Sequence, residues 1–350
     1  MLVDEMMKIF PRRPAALLLP MLYLAPPWLY GIDEQVLVAS MVTASNWVVG
    51  AQLQQSGVML RTPEGWRLRG YPHPIVVAAV ADPREASTLW LAAGNGAIRA
   101  ARGARDWRIM TDHTVTELRD LAVDANAPGT IYIGHTLGVG MSRDQGRTWL
   151  DVTGNRKRRY TEAIAVDRTT AGRILAGGED GLWLSEDSGR TWRLAGASGY
   201  QVMRIRQSPH DPKDWIAVTS KGGPYRSRDG GKTFEGILHL GVGRYLGEDR
   251  NSYDVAYDPT TKGRIALSIW GVGIAVTEDD GAKWEWRNHG LPRLELWSCI
   301  FDPARPGRLY VSVHEEALYV SEHAGKQWVK EGLDGSVVFQ LSWAPREVLQ

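Results

Sequence analysis

The sequence predicts an all-β chain, a seven-bladed propeller of four-stranded antiparallel blades, and three observations carry that expectation. Five octapeptides of one design recur: SRDQGRTW (142–149), SEDSGRTW (185–192), SRDGGKTF (227–234), TEDDGAKW (277–284) and SEHAGKQW (321–328). Their first residues lie 43, 42, 50 and 44 apart, which is room for about four short strands and their turns. Counting back 42 residues from Trp149 reaches Trp107, and a further 41 reaches Trp66, so two decayed copies precede the five clear ones. The anchors are then Trp66, Trp107, Trp149, Trp192, Phe234, Trp284 and Trp328. Within a unit, short apolar runs bounded by Gly, Pro or Asp follow one another, as in EAIAVD (162–167), RILAGG (173–178), GLWLSED (181–187) and TWRLA (191–195). Such runs read as strands.

At the N-terminus, Lys8, Arg12 and Arg13 precede an uncharged stretch from Ala15 to Ile32 that contains AALLLPMLYLA. A basic region followed by an apolar run reads as a secretory signal, and its length also reaches the lower limit for a membrane span, although its prolines oppose a regular helix. The expected division is a signal or anchoring segment at 1–32 and a propeller at 33–350. The expected location is outside the cytoplasm, periplasmic or extracellular, with the segment either cleaved or retained. First strands recur as VVAAVADP, RDLAVD, MRIRQSP, DVAYDP and CIFDP. Both VLVAS (36–40) and SVVFQLSWAP (336–345) read as further first strands, so either chain end could close the ring, a device that removes a sheet edge.

The octapeptide has a physical logic of its own. Short Ser and Asp side chains accept hydrogen bonds from the N–H groups of a tight turn, Gly supplies a positive φ, and the aromatic ring anchors the returning strand. The pattern Ser-x-Asp-x-Gly-x-Thr-Trp, met in full by two copies, resembles the Asp-box or BNR repeat of sialidase-like propellers. The boxes are therefore expected to be structural. Asp279-Asp280-Gly281 lacks the spaced oxygen ligands of a calcium loop, and neither a metal nor a cofactor is expected.

Composition narrows the function. With 41 basic and 40 acidic side chains the net charge is +1, so no global field attracts nucleic acid, and no nucleic-acid motif is present. The local exception is the run Arg156-Lys157-Arg158-Arg159, read as either a solvated loop or a docking patch. Cys299 stands alone in the chain, which excludes an intrachain disulfide, and it reads as a small buried hydrophobe.

A site is expected on the face opposite the boxes, where blade-to-blade loops and the turns between second and third strands gather. Binding candidates there are Arg158, Arg159, Tyr160, Arg204, Arg244, Tyr245, Trp270 and Trp297. Aligned first strands place Asp120, Ala163, Arg204, Asp254 and Ser298 at equivalent positions. Two-residue alternation adds Arg206 to the same face. The charged members are expected either to line the channel mouth or to satisfy one another as a buried network.

The resemblance offers two functions. Sialidases of this kind carry an arginine triad, a Tyr nucleophile with a Glu, an Asp acid and a Phe-Arg-Ile-Pro segment. Nothing before the first repeat matches that segment, and the nearest string, MRIRQSP (203–209), lies in blade five. Xyloglucanase-type glycosidases need two carboxylates about 6.5–9.5 Å apart when inverting. Asp120 and Asp254 are candidates for that pair, with Trp270 or Trp297 as a sugar platform, but those enzymes generally set two propellers around the cleft. One ring without a matched catalytic set more closely resembles the non-enzymatic branch, which includes photosystem II assembly factors and sortilin-type ectodomains. The expected function is a scaffold that binds a protein partner, at a membrane surface in one version. A glycoside hydrolase with a carbohydrate ligand is the alternative.

Overall fold

The computed structural model describes residues 35–44, 56–69, 72–73, 75–102, 105–157, 159–237 and 248–350. The N-terminal segment read as a signal or anchor lies outside them, as do Arg158, Arg244 and Tyr245. Among the described residues no helix is long and apolar enough to cross a membrane.

The described strands form seven four-stranded antiparallel ladders, with blades five and six joined at one edge where Trp215–Gly222 pairs with Glu248–Tyr257. The innermost strands of blades two to seven are Val76–Ala81, Leu118–Val123, Thr161–Val166, Val202–Gln207, Glu248–Tyr257 and Leu296–Phe301. Ser336–Pro345 is the innermost strand of blade one and packs between those of blades seven and two. The circle is thereby complete. Both chain ends take part, because Gln35–Thr43 pairs with Ser336–Pro345 along its whole length. VLVAS is therefore a second strand, not a first. The two ends have similar apolar runs, and only pairing across the whole chain length could rank them.

Seven apolar clusters fill the seven junctions between neighbouring blades, so the core is a ring of layers rather than a single centre. Between blades three and four, for example, Tyr132, Val139 and Met141 pack against Ile164, Ile174, Ala176 and Trp192. Indoles close the junctions with directional bonds. Nε1 of Trp149 donates to Met110 O at 2.8 Å, that of Trp192 to Val152 O at 2.9 Å, and that of Trp328 to Arg287 O at 2.7 Å, each carbonyl belonging to the preceding blade.

The octapeptide turns act as their residues imply. In blade three the Ser142 hydroxyl donates to Asp144 Oδ1 at 2.8 Å and accepts the Gly146 N–H at 2.8 Å. The Asp144 carboxylate accepts the N–H and the hydroxyl of Thr148 at 2.9 and 2.7 Å. The same bonds recur around Asp187 and Asp229. Gly146 and Gly189 sit at φ of 76° and 87°, where a Cβ is disfavoured. In blade seven His323 replaces the Asp, and only the Ser321 hydroxyl still caps the turn.

Charges next to the turns compensate one another from blade to blade. In blades four, six and seven a Glu at the second box position meets an Arg that opens the second strand: Glu186 with Arg173, Glu278 with Arg264 and Glu322 with Arg308. Blade five inverts the pair, with Asp214 facing Arg226 and Arg228.

Of the seven anchors, Trp192, Phe234, Trp284 and Trp328 are buried and Trp149 is half-buried. Trp107 keeps the equivalent register, opposite Ala100, but is 44% exposed. Trp66, opposite Arg61, is half-buried, and its indole nitrogen has no hydrogen-bond partner among the described residues. In these two decayed copies Ala100 and Arg61 stand where the box Ser stands, so no hydroxyl gathers the turn.

The turns also carry an acid dependence. Bonds from the Thr148 hydroxyl, then the Thr148 N–H and the Ser142 hydroxyl, pull the Asp144 carboxyl down to about 2. A depressed carboxyl contributes stability that is complete above its unfolded value and is lost as pH falls through the folded one. In an acid titration followed by circular dichroism, the advantage of wild type over Asp144→Asn should therefore hold at neutral pH and shrink from about pH 4 towards pH 2.

Candidate functional site

Every inner strand contains a register shift near its start: between Val76 and Ala78, Leu118 and Asp120, Thr161 and Ala163, Val202 and Arg204, Ser252 and Asp254, Leu296 and Cys299, and opposite Ser40 and Met41 in blade one. A bulge leaves one residue unpaired and re-aims its side chain. Here those residues are Val77, Arg119, Glu162, Met203, Tyr253 and Phe339, with Trp297 beside Ser298 in the two-residue gap of blade seven, and together with Arg204 they line the mouth of the central channel. Of the residues that alternation assigned to the mouth, Arg204 belongs to this lining, whereas Asp120, Asp254 and Arg206 sit behind it. The space between the rim side chains is only about 40 Å3, against about 300–1,000 Å3 for small-molecule sites.

Arg204 closes the channel beneath this rim. Its guanidinium lies 3.8 Å from Asp120 Oδ2 in blade three and 3.6 Å from Asp254 Oδ1 in blade six, and donates to Phe339 O of blade one at 3.3 Å. Arg206 reaches the same Asp254 oxygen at 3.3 Å. Asp120 also accepts the N–H groups of Leu121 and of Ile164 in the next blade, at 2.9 and 3.1 Å. The Asp254 side chain is fully enclosed and that of Asp120 nearly so. Burial pushes the Asp120 carboxyl up, and the charges of Arg204 and Arg206 oppose that shift.

Above the plug, one half of the rim is aromatic. Tyr253 stacks on Trp297 with ring centres 4.3 Å apart. Trp270 meets both rings edge-on at 5.6 and 5.9 Å, and Phe339 meets Trp297 edge-on at 5.9 Å. Trp297 Nε1 donates to His314 Nδ1 at 2.8 Å. An indole N–H only donates, so this His314 nitrogen must accept. The other half is charged, with Arg119 gripping Glu162 through two bonds of 2.9 Å and the Tyr160 hydroxyl donating to Glu162. Between blades five and six the extended pairing Ser220↔Asn251 and Gly222↔Glu248 raises a β-ribbon beside the aromatic shelf.

The structure thus gathers Asp120, Arg204 and Asp254 on the axis, Trp270 and Trp297 on the shelf, and Tyr160 at the charged border. Arg159 is engaged elsewhere, with Asp151 and Leu137 O. The basic run also differs from a uniformly solvated loop. Arg156 is 4% exposed, its guanidinium 5.9 and 5.5 Å from the rings of Trp183 and Trp192, and burial lowers its pKa to about 10. Sequence reasoning missed Arg119, Glu162, Tyr253 and Phe339, because strict alternation turns them away from the axis. The available signal was that large side chains precede the aligned position in six of the seven inner strands, Val77 being the exception.

No family model and no curated protein sequence matches the chain. Solved structures do. A glycoside hydrolase family 74 xyloglucanase from Xanthomonas campestris superposes with a TM-score of 0.60 at 18% identity, covering 73% of this chain and 45% of its own. YCF48, solved bound to a D1 peptide, superposes at 0.53 with 16% identity, covering 76% of this chain and 88% of its own. The extracellular domain of the hybrid two-component system BT4673 from B. thetaiotaomicron gives 0.59 at 13%, covering 78% and 37%. The fold is a β-propeller. At these identities the likeness establishes architecture alone, and the chain spans less than half of the xyloglucanase it resembles.

Proposed function

We propose that this β-propeller is a non-enzymatic scaffold whose mouth face binds a protein partner. The observation that carries this reading is the plugged channel: Arg204 and its two carboxylates seal the axis just under the rim, so the face offers a broad aromatic and charged surface instead of a substrate cavity. Half-buried aromatic side chains beside a part-exposed arginine suit a protein interface. YCF48, a propeller of comparable size, was solved with a peptide bound, which supports the same use here. The basic and apolar N-terminal sequence supports an exported or membrane-associated setting for that partner.

The hydrolase reading draws on the shared fold of the xyloglucanase, but its candidate acids Asp120 and Asp254 are enclosed and paired with arginines. No turnover of sialosides or β-glucans is expected. Activity that disappears in Asp120→Asn or Asp254→Asn would make the protein a glycosidase.

Tagged full-length protein recovered from membrane and soluble fractions, with mass spectrometry of what accompanies it, identifies the partner. Arg119→Glu combined with Trp270→Ala should then lower partner affinity at least tenfold without shifting the thermal midpoint by more than a few degrees. Unchanged affinity in that variant, with loss in the box-face variant Arg143→Glu plus Arg190→Glu, would place the interface on the opposite face.

A further inference from the structure

Where blade seven meets blade one, on the box side of the ring, a cavity of about 380 Å3 opens between the two blades. Its presence follows from the decayed first repeat. In blades three, four and seven the box turn lies over the junction with the preceding blade and its indole bonds to a carbonyl there. Blade one replaces the octapeptide with a two-residue turn, Pro63-Glu64, between Thr62 and Gly65, and Trp66 Nε1 finds no hydrogen-bond partner among the described residues. The groove therefore stays open. Its volume lies within the range of small-molecule sites, about 300–1,000 Å3.

The lining is rich in arginine. Arg61, Arg305, Arg308 and Arg346 share that lining with two carboxylates, Asp302 and Glu331. Those two are already engaged: Glu331 by Arg61 at 2.7 Å, and Asp302 by the Ala304 N–H at 2.8 Å with Arg308 at 3.9 Å. Arg308 is further occupied by Glu322 at 3.2 Å and lies 5.3 Å from the Tyr310 ring centre. Arg305 and Arg346 are exposed and form no ion pair among the described residues, although Glu64 lies within Coulombic range of Arg346. They come from opposite sides of the seam, Arg305 from a blade-seven turn and Arg346 from the end of the closing strand. Guanidinium forks match phosphate and carboxylate oxygens in pairs.

We propose that this seam is a binding site for a small molecule carrying phosphate or carboxylate groups, held between Arg305 and Arg346. Such a ligand ties blade seven to the strand that closes the ring, so it binds the closed form and stabilises it.

Isothermal calorimetry and thermal unfolding of the full chain with inorganic phosphate, and separately with citrate, against chloride at equal ionic strength, test the site. Saturable binding and a midpoint that rises with ligand concentration are expected. Affinity should fall at least tenfold in Arg305→Gln plus Arg346→Gln and remain in Arg147→Gln plus Arg190→Gln, which removes two exposed arginines from other turns. Response to only one probe would support the site and name its anion class. Hydrogen exchange in Gln35–Thr43 and Ser336–Pro345 should slow with ligand. The proposal is overturned by the absence of saturable binding or by equal loss in both double variants. Arg346→Gln alone, at an exposed position, provides the same comparison should the double variant fail to fold.

Discussion

Arg204→Ala is expected to destabilise the ring by about 3–5 kcal/mol, the typical cost of removing one partner from a buried ion network. The side chain touches blades three, six and one at once, so its loss leaves Asp120 enclosed beside only the more distant charge of Arg206. The penalty arises from that orphaned carboxylate and should therefore depend on pH. Burial already raises the Asp120 carboxyl in the native protein, and a group raised on folding opposes folding progressively as pH climbs through its folded value. Acidification protonates Asp120 and removes the charge. The deficit of Arg204→Ala relative to wild type should accordingly be larger at pH 7.5 than at pH 5. Adding Asp120→Asn should recover part of it, a coupling that a double-mutant cycle in denaturant measures. A deficit that is constant with pH and additive with Asp120→Asn would mean that Arg204 acts by packing alone.

Trp192→Ala should cost about 3–5 kcal/mol as a large-to-small core substitution, and its neighbours argue for the upper end. The ring is 4% exposed, donates to Val152 O and Gly189 O at 2.9 and 3.0 Å, and has the Arg156 guanidinium 5.5 Å from its centre. Without the indole, Arg156 loses one of its two aromatic faces while still buried, with its Nε and Nη2 lacking hydrogen-bond partners among the described residues. Trp192→Phe, which keeps a ring and deletes the two carbonyl bonds, should cost about 1–2 kcal/mol. Trp107→Ala provides the contrast. The same register holds it, but at 44% exposure it should cost about 1 kcal/mol or less. Equal losses at Trp107 and Trp192 in urea unfolding would show that the decayed repeat still anchors its blade.

The octapeptides were legible because their bonds are local. Ser142, Asp144, Gly146 and Thr148 satisfy one another within a single turn, so composition and spacing carry the whole instruction, and a fixed period then implies stacked blades. The inward position of Asp120, Arg204 and Asp254 was legible for a similar reason, since the aligned strands share one register. Whether those charges faced solvent or one another depended on distances between blades three, five and six, which no single strand records.

The channel rim was illegible because of the bulges. A register shift in each inner strand breaks the two-residue period and turns Arg119, Glu162, Tyr253 and Phe339 towards the axis. The burial of Arg156 within an apparently solvated basic run also required two indoles brought in by other strands of blade four.

By itself the sequence determined the repeat, the strand content and the turn chemistry, all fixed by hydrogen bonds and alternation among residues close in the chain. Only the tertiary structure decided that Ser336–Pro345 lies innermost in blade one, that Arg204 plugs the axis and that the seam stays open. Those features depend on pairing and Coulombic contacts between segments as far apart as Gln35 and Pro345, whose mutual position exists only once the ring has closed.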